Sequence, residues 1–290
     1  MTDTTAPSRP PSAADQIAAL DPEASYEEIA RLLYAYEFSW DIERALEFAL
    51  FRTYAVPAIS GLLAKTGEFE TRPRKRYDDT ELILAETIEN GLDSTEGQRS
   101  IARMNAMHGR FRIGNGDMLY VLSTFICEPI RWLDRFGRRS MTNREKRAWF
   151  LYYRGLGERM GIEQIPTDLT DMMRFNVEYE ATHFRFADTN RRIADATTVL
   201  LLGFYVPSWL FWMGRPAVRA FLDQRLLDSM GLAPAPSWVR GMLMAALRLR
   251  SGLLKRLPLR RKPRYLTQVP RPTYPEGYRI EELGTFHKVR

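Results

Sequence analysis

The chain has a single cysteine, Cys127, and three histidines, at 108, 183 and 287, in 290 residues. One thiol excludes an internal disulfide, a thiolate zinc cluster and an iron–sulfur centre, each of which needs several cysteines. So few imidazoles favour a cofactor that takes one protein ligand over a bare metal that takes three. The sequence lacks a Cys-x-x-Cys-His for covalent haem, a glycine-rich phosphate loop, a nucleophile elbow and a His-Glu-x-x-His. Few stretches alternate with period two, and no period of 20–50 residues repeats, which excludes a β-protein and a solenoid.

What is present is mostly helix. A hydrophobic fraction of 45% with 12% aromatics is incompatible with a mostly disordered chain, and 27% charged residues with a polytopic membrane protein. Residues 1–25 are rich in Pro, Ser, Thr, Ala and Asp, without the features of a signal peptide, and read as a disordered leader on a cytoplasmic protein. Helical periodicity then runs from Tyr26 to about Leu257, predicting one all-α domain over 26–257 and a basic, irregular tail over 258–290. Asp78-Asp79-Thr80 reads as a helix start, and Thr142 with Glu145 has capping-box spacing. Twelve of the 42 Lys/Arg lie between Arg248 and Arg290 against three Glu, so this stretch carries +9 and the rest of the chain −3. Such a tail attracts phosphate, on nucleic acid or on anionic lipid.

From Ala196 to Gly214 no residue is charged. The run is compatible with two buried helical pieces broken at Pro207, with a membrane-surface wedge or with a span. Trp238 to Leu257 has the composition of a membrane-surface helix or of an amphipathic core helix.

Two elements carry candidate chemistry. Ile101, Met104, His108 and Phe111 recur at helical spacing, so His108 projects from an apolar face. It reads as a core histidine with one hydrogen bond, or as an axial iron ligand with Arg103, Arg110 and Arg112 near enough to pair with propionates. Arg76 and Thr80, four apart, share a helix face beside Asp79; these read as a cap with a solvated arginine, or as polar groups in a site. Glu180-x-x-His183 has di-iron spacing but occurs once, where that architecture needs it twice. Cys127 has apolar flanks and reads as a buried, inert thiol.

Taken together, Ala49-Leu-Phe-Arg-Thr-Tyr-Ala-Val-Pro57, Lys75-Arg-Tyr-Asp-Asp-Thr80, Arg103-Met-Asn-Ala-Met-His-Gly109, Asn115-Gly-Asp-Met-Leu-Tyr-Val-Leu122, Glu128-Pro-Ile-Arg-Trp132 and Gly157-Glu-Arg-Met-Gly-Ile162 are similar to a known family. They resemble the haem oxygenases that include fungal ER-bound MpaB and bacterial latex-clearing rubber oxygenases. The resemblance implies an all-α, globin-like or orthogonal helical domain enclosing a pocket for non-covalent haem b. It implies His108 as the iron ligand, Arg112 as its companion with Arg103 beside the cofactor, and Arg76, Asp79 and Thr80 as catalytic groups on the opposite side. Rubber-cleaving relatives carry lysine where this chain has Asp79, and the usual Asn-Asp-Asp is here Asn115-Gly116-Asp117. The expected activity is dioxygen-dependent oxidation or cleavage of carbon–carbon double bonds in a hydrophobic, isoprenoid or lipid-like substrate. The alternative is a haem- or lipid-binding membrane-surface protein without turnover. An anionic membrane surface is an expected partner, with the protein peripheral at its inner face, and nucleic acid is not. Because the matched motifs precede Leu257, removing the tail is expected to leave haem binding intact.

Overall fold

In the computed structural model, which describes residues 11–258 and 260–284, every regular element is a helix; one isolated β-bridge joins Arg271 to Tyr274. Residues 1–10 of the expected leader and the end of the tail, including His287, lie outside the described residues. The rest of the leader is not the disordered arm its composition suggests. Ser12 and Asp15 cap each other's amides and start α1 (Ala13–Ala19), whose Ala13 and Ile17 enter the core. A reciprocal cap and two apolar residues four apart are enough to dock this short helix.

α2 (Tyr26–Leu32) passes through a π-helical turn, Leu33–Glu37, into α3 (Ser39–Tyr54). α4 (Pro57–Thr66) and α6 (Pro73–Asn90) both open on proline, whose missing N–H is no loss in a first turn; α5 (Glu68–Thr71) lies between them. The start at Pro73 corrects the reading of Asp78-Asp79 as a cap, since both are buried in the helix's second turn. α7 (Thr95–His108) is capped by Ser94, whose hydroxyl accepts from the Gly97 amide at 2.9 Å. A Cβ on Gly97 would lie 2.0 Å from the Gly91 carbonyl oxygen, so the tight α6–α7 connection requires glycine there.

α8 (Asn115–Phe136), the longest helix, packs along α3 and against α9 (Asn143–Arg159), which starts on the expected Thr142–Glu145 capping box. Pro129 inside α8 cannot donate to the Phe125 carbonyl. The buried Trp149 indole of α9 donates to it instead, at 3.3 Å. α10 (Leu169–His183) lies on α8, and α11 (Asp188–Gly203) on α4.

The uncharged run is interrupted at Pro207: α11 ends at Gly203, a 3-10 turn covers Ser208–Leu210, and α12 (Phe211–Arg219) follows. α13 (Gln224–Ser229) and α14 (Ser237–Leu254) complete the helices. Among the described residues no single helix is long and apolar enough to cross a membrane; the bent pair α3–α4, which passes by length and composition, turns by 101°. Residues 260–284 are largely irregular, as expected, but they are not a loose tail. Leu266, Ile280 and Leu283 are buried against the body.

Candidate functional site

His108 is the last residue of α7. Ile101 and Met104 carry the helix's apolar face into the core, and His108 continues it one turn later. Phe111 does not: the helix stops at Gly109, and Phe111 is 40% exposed in the turn beyond. The His108 Nδ1 is buried without a hydrogen-bond partner among the described residues. Burial, and secondarily the charge of Arg76, lower its pKa from 6.5 to about 4. The imidazole is therefore neutral at physiological pH and retains an unprotonated ring nitrogen.

Arg76 comes from α6, which packs against α7. Its Nη1 donates to the Thr80 hydroxyl, which in turn donates to the Arg76 carbonyl at 2.9 Å. The guanidinium lies over the Phe69 ring of α5 at 5.7 Å, with Tyr54 and Glu68 also acting on its charge. Among the described residues no carboxylate lies at ion-pair distance from Arg76. Burial lowers its pKa, and the charges of Tyr54, Asp79 and Glu68 oppose that only in part. A fixed, desolvated cation facing a neutral histidine suits negative charge developing between them. The fold thus brings Arg76, Thr80 and His108 together from two helices. The orphaned ring nitrogen and the desolvated cation beside it fit a group held by one imidazole, as haem b is.

Asp79, expected to handle oxygen or its proton, is occupied otherwise. Lys75 donates to both its oxygens, at 3.0 and 2.7 Å, and Tyr274 of the C-terminal segment donates to one of them. This is one contact of a strap, residues 264–284, that covers α6 and α7. The strap answers α6's buried acids in turn: Thr273 donates to Asp78, Arg271 pairs with Glu81 at 2.5 Å, Tyr278 donates to Glu86 at 2.6 Å and the Leu266 amide to Glu89 at 2.6 Å. On α7 it takes the Arg103 guanidinium, whose Nε donates to the Leu283 carbonyl at 2.7 Å. Arg112 lies beyond the helix and is exposed. The segment thought dispensable therefore holds both helices of the site.

Thr80 also lines a small cavity of about 40 Å³ with Glu47, Tyr77 and Glu81. Burial outweighs Arg44 and pushes the Glu47 carboxyl up to about 8, while Tyr77 donates to it at 2.7 Å. A larger cavity of about 720 Å³ lies under the strap, against Glu86 and Arg99. Neither of these two cavities is lined by His108 or Arg76. Sequence reasoning assigned no role to Glu47, Tyr54, Phe69 and Tyr274, which reach the site from other elements; Tyr54 lies in one of the family motifs, but no spacing ties it to Arg76.

Other candidates resolve as structure. Glu180 is engaged by Arg52, at 2.6 and 2.5 Å, and by Tyr120, while His183 is exposed and stacked on Tyr179. Cys127 is fully buried, which pushes its thiol up to about 12. Arg52 also pairs with Asp223 at 2.7 Å and Glu128 at 3.6 Å, so two of the long sequence motifs meet in an internal ion network.

Residues 46–251 match a family model described as ER-bound oxygenase mpaB/B'/Rubber oxygenase, catalytic domain. The chain is 32% identical over 222 residues to ER-bound oxygenase mpaB' of Penicillium brevicompactum, covering 70% of this chain and 52% of that protein. It is 31% identical over 213 residues to ER-bound oxygenase mpaB of Penicillium roqueforti (strain FM164), covering 67% and 71%. The chain thus spans about half the length of the Penicillium brevicompactum relative. Latex clearing protein LCP, solved in the closed state, aligns over 88% of this chain and 72% of its own, at 16% identity and a TM-score of 0.45.

Proposed function

Since the chain belongs to the family of mpaB/B' and rubber oxygenase catalytic domains, we propose that it is a haem b oxygenase that uses dioxygen to oxidise or cleave carbon–carbon double bonds in a hydrophobic, isoprenoid or lipid-like substrate. The observation that carries this reading is His108 held neutral, its Nδ1 without a partner, opposite the desolvated Arg76. Haem b, when bound, supplies the iron at which dioxygen is activated.

His108 is the residue that holds this group, and a neutral ring is the form that can do so. Arg76 stabilises negative charge on the reacting oxygen, and Thr80 orients the guanidinium and offers a hydroxyl for proton exchange. Arg103 and Arg112 would hold the cofactor's carboxylates through their guanidinium groups. Asp79 contributes as a positioning residue: through Lys75 and Tyr274 it fixes the register of α6 that carries Arg76 and Thr80. These polar groups beside His108 favour turnover over mere haem storage. We place the protein on the cytoplasmic side, peripheral to a membrane from which an apolar substrate is drawn.

The visible spectrum of the purified protein, with pyridine-haemochrome identification, tests the reading. Wild type and His183→Ala should carry stoichiometric haem b, and His108→Ala should lose it. An unchanged Soret band in His108→Ala would remove His108 from the proposal. Arg76→Ala with haem retained but no loss of dioxygen uptake on an unsaturated substrate would remove the catalytic assignment.

A further inference from the structure

The Pro207 break, α12 and α14 supply the largest apolar side chains that the fold leaves outside. Trp209, Trp212 and Trp238 are 70%, 72% and 68% exposed. On α14 the spacing of Trp238, Met242, Leu249 and Leu253 places all four on one exposed stripe, while Val239 and Leu247 on another face enter the core. The helix is therefore apolar on two faces, one of them left uncovered among the described residues. α12 packs against α14 and against the 3-10 turn that carries Trp209, so the exposed tryptophans are carried by neighbouring elements.

The charges around this surface fall into two groups. No Asp or Glu occurs between Asp228 and Glu276. Three bases of this stretch are internally paired: Arg250 with Asp41 at 2.9 Å, Arg264 with Glu43 and Arg271 with Glu81. Arg240, Arg248, Lys255, Arg256 and the Arg260-Arg261-Lys262 run are exposed, and no carboxylate among the described residues is at ion-pair distance from them. A large apolar stripe thus lies beside a cluster of uncompensated positive charge.

We propose that the α12–α14 face docks on a bilayer containing anionic phospholipid, with its three tryptophans at headgroup depth and the bases beside them on lipid phosphates. Apolar insertion and electrostatic attraction are the two contributions that together give stable peripheral binding, and tryptophan favours the bilayer interface. A second copy of the chain is a poor occupant, because a two-fold contact would press the same basic clusters against each other. The face also leads to the site. Phe204, at the foot of the break, packs edge-on to Tyr77 at 5.1 Å and lies under the Arg74 guanidinium at 4.7 Å, both on α6 within two residues of Arg76. Resting on the proposed oxygenase function, docking would present an apolar substrate to α6 directly from lipid.

Full-length protein is mixed with vesicles of phosphatidylcholine alone, or with about one-third phosphatidylglycerol, a content sufficient to give a negative surface. Sedimentation and quenching of tryptophan emission by brominated lipid are read. Wild type should bind the phosphatidylglycerol vesicles, be quenched there, weaken with salt and bind neutral vesicles poorly. Trp209→Ser/Trp212→Ser/Trp238→Ser should lower partitioning about tenfold or more with helical signal and unfolding midpoint retained, as should Arg248→Glu/Arg256→Glu. Absence of binding at low salt, binding without quenching, or a triple variant that binds like wild type overturns the proposal. So does a dimer in sedimentation velocity that the triple variant dissolves, since a second copy would then cover the face. None of these readings requires haem or turnover, so their failure is distinct from failure of the oxygenase assignment.

Discussion

The strap over 264–284 and helix α14 invert the usual association of regularity with burial. The strap has almost no regular structure, yet Leu266, Ile280 and Leu283 are buried and its amides and hydroxyls end on acids of α6. α14 is a continuous helix, yet Trp238, Met242, Leu249 and Leu253 face outward. A helix satisfies its own backbone and so can lie on a surface with one apolar face uncovered. An irregular segment cannot, and becomes ordered only where other side chains satisfy its polar groups. The strap is thus bound to the body by specific partners, and α14 by only part of its circumference.

Removing the strap breaks the comparison most severely. Truncation after Pro263 removes the buried Leu266, Ile280 and Leu283 and the strap partners of Asp78, Asp79, Glu86 and Glu89, opening α6 and α7 to water, and should cost on the order of 5 kcal/mol or more, read as a collapse of the urea midpoint together with loss of haem. Retention of both would mean that α6 and α7 hold the site unaided. Asp79→Ala tests a single anchor: it strands Lys75 and Tyr274 and should destabilise by about 3 kcal/mol in thermal unfolding, because one half of a buried pair is left alone.

His108 lies between the two extremes, a turn from the strap-held Arg103. Its folded pKa of about 4 is below the unfolded 6.5, so the unfolded chain takes up the proton first. Stability of the haem-free protein is then complete above about pH 6.5 and declines toward pH 4, by about 2 kcal/mol for a shift of this size in a partly accessible group. Equilibrium unfolding across this range should show the decline in wild type and a flatter profile in His108→Ala. The smallest effect belongs to α14: Met242→Gln/Leu253→Gln should change stability by no more than about 0.5 kcal/mol, because neither side chain is buried. A loss as large as that of Asp79→Ala would show that the stripe is covered.

Features set by neighbours in sequence were legible. Thr142 with Glu145, and the break at Pro207, act within a few residues, and the structure places each where local chemistry puts it. The start of α6 was misplaced because Asp78-Asp79 resembles a cap by composition; their partners, Arg74, Lys75, Thr273 and Tyr274, show that they are interior anchors. The pairing of Arg76 with His108 could not be read from spacing, since it depends on how two helices pack; only the family resemblance brought them together. The two faces of α14 were merged in the sequence, where Val239 and Met242 look equivalent and only tertiary contact separates them.

The strap also sets a clock. Lys75 and Tyr274 are 199 positions apart, Asp78 and Thr273 195, and Glu86 and Tyr278 192. At a ribosomal rate of roughly 5–20 residues per second, α6 leaves the tunnel some ~10–40 s before the residues that neutralise it. During that interval its acids must remain hydrated and the helix cannot settle into its final place. The site is therefore completed only once residues 264–284 emerge, and a nascent product truncated before them carries every site motif without the means to assemble them.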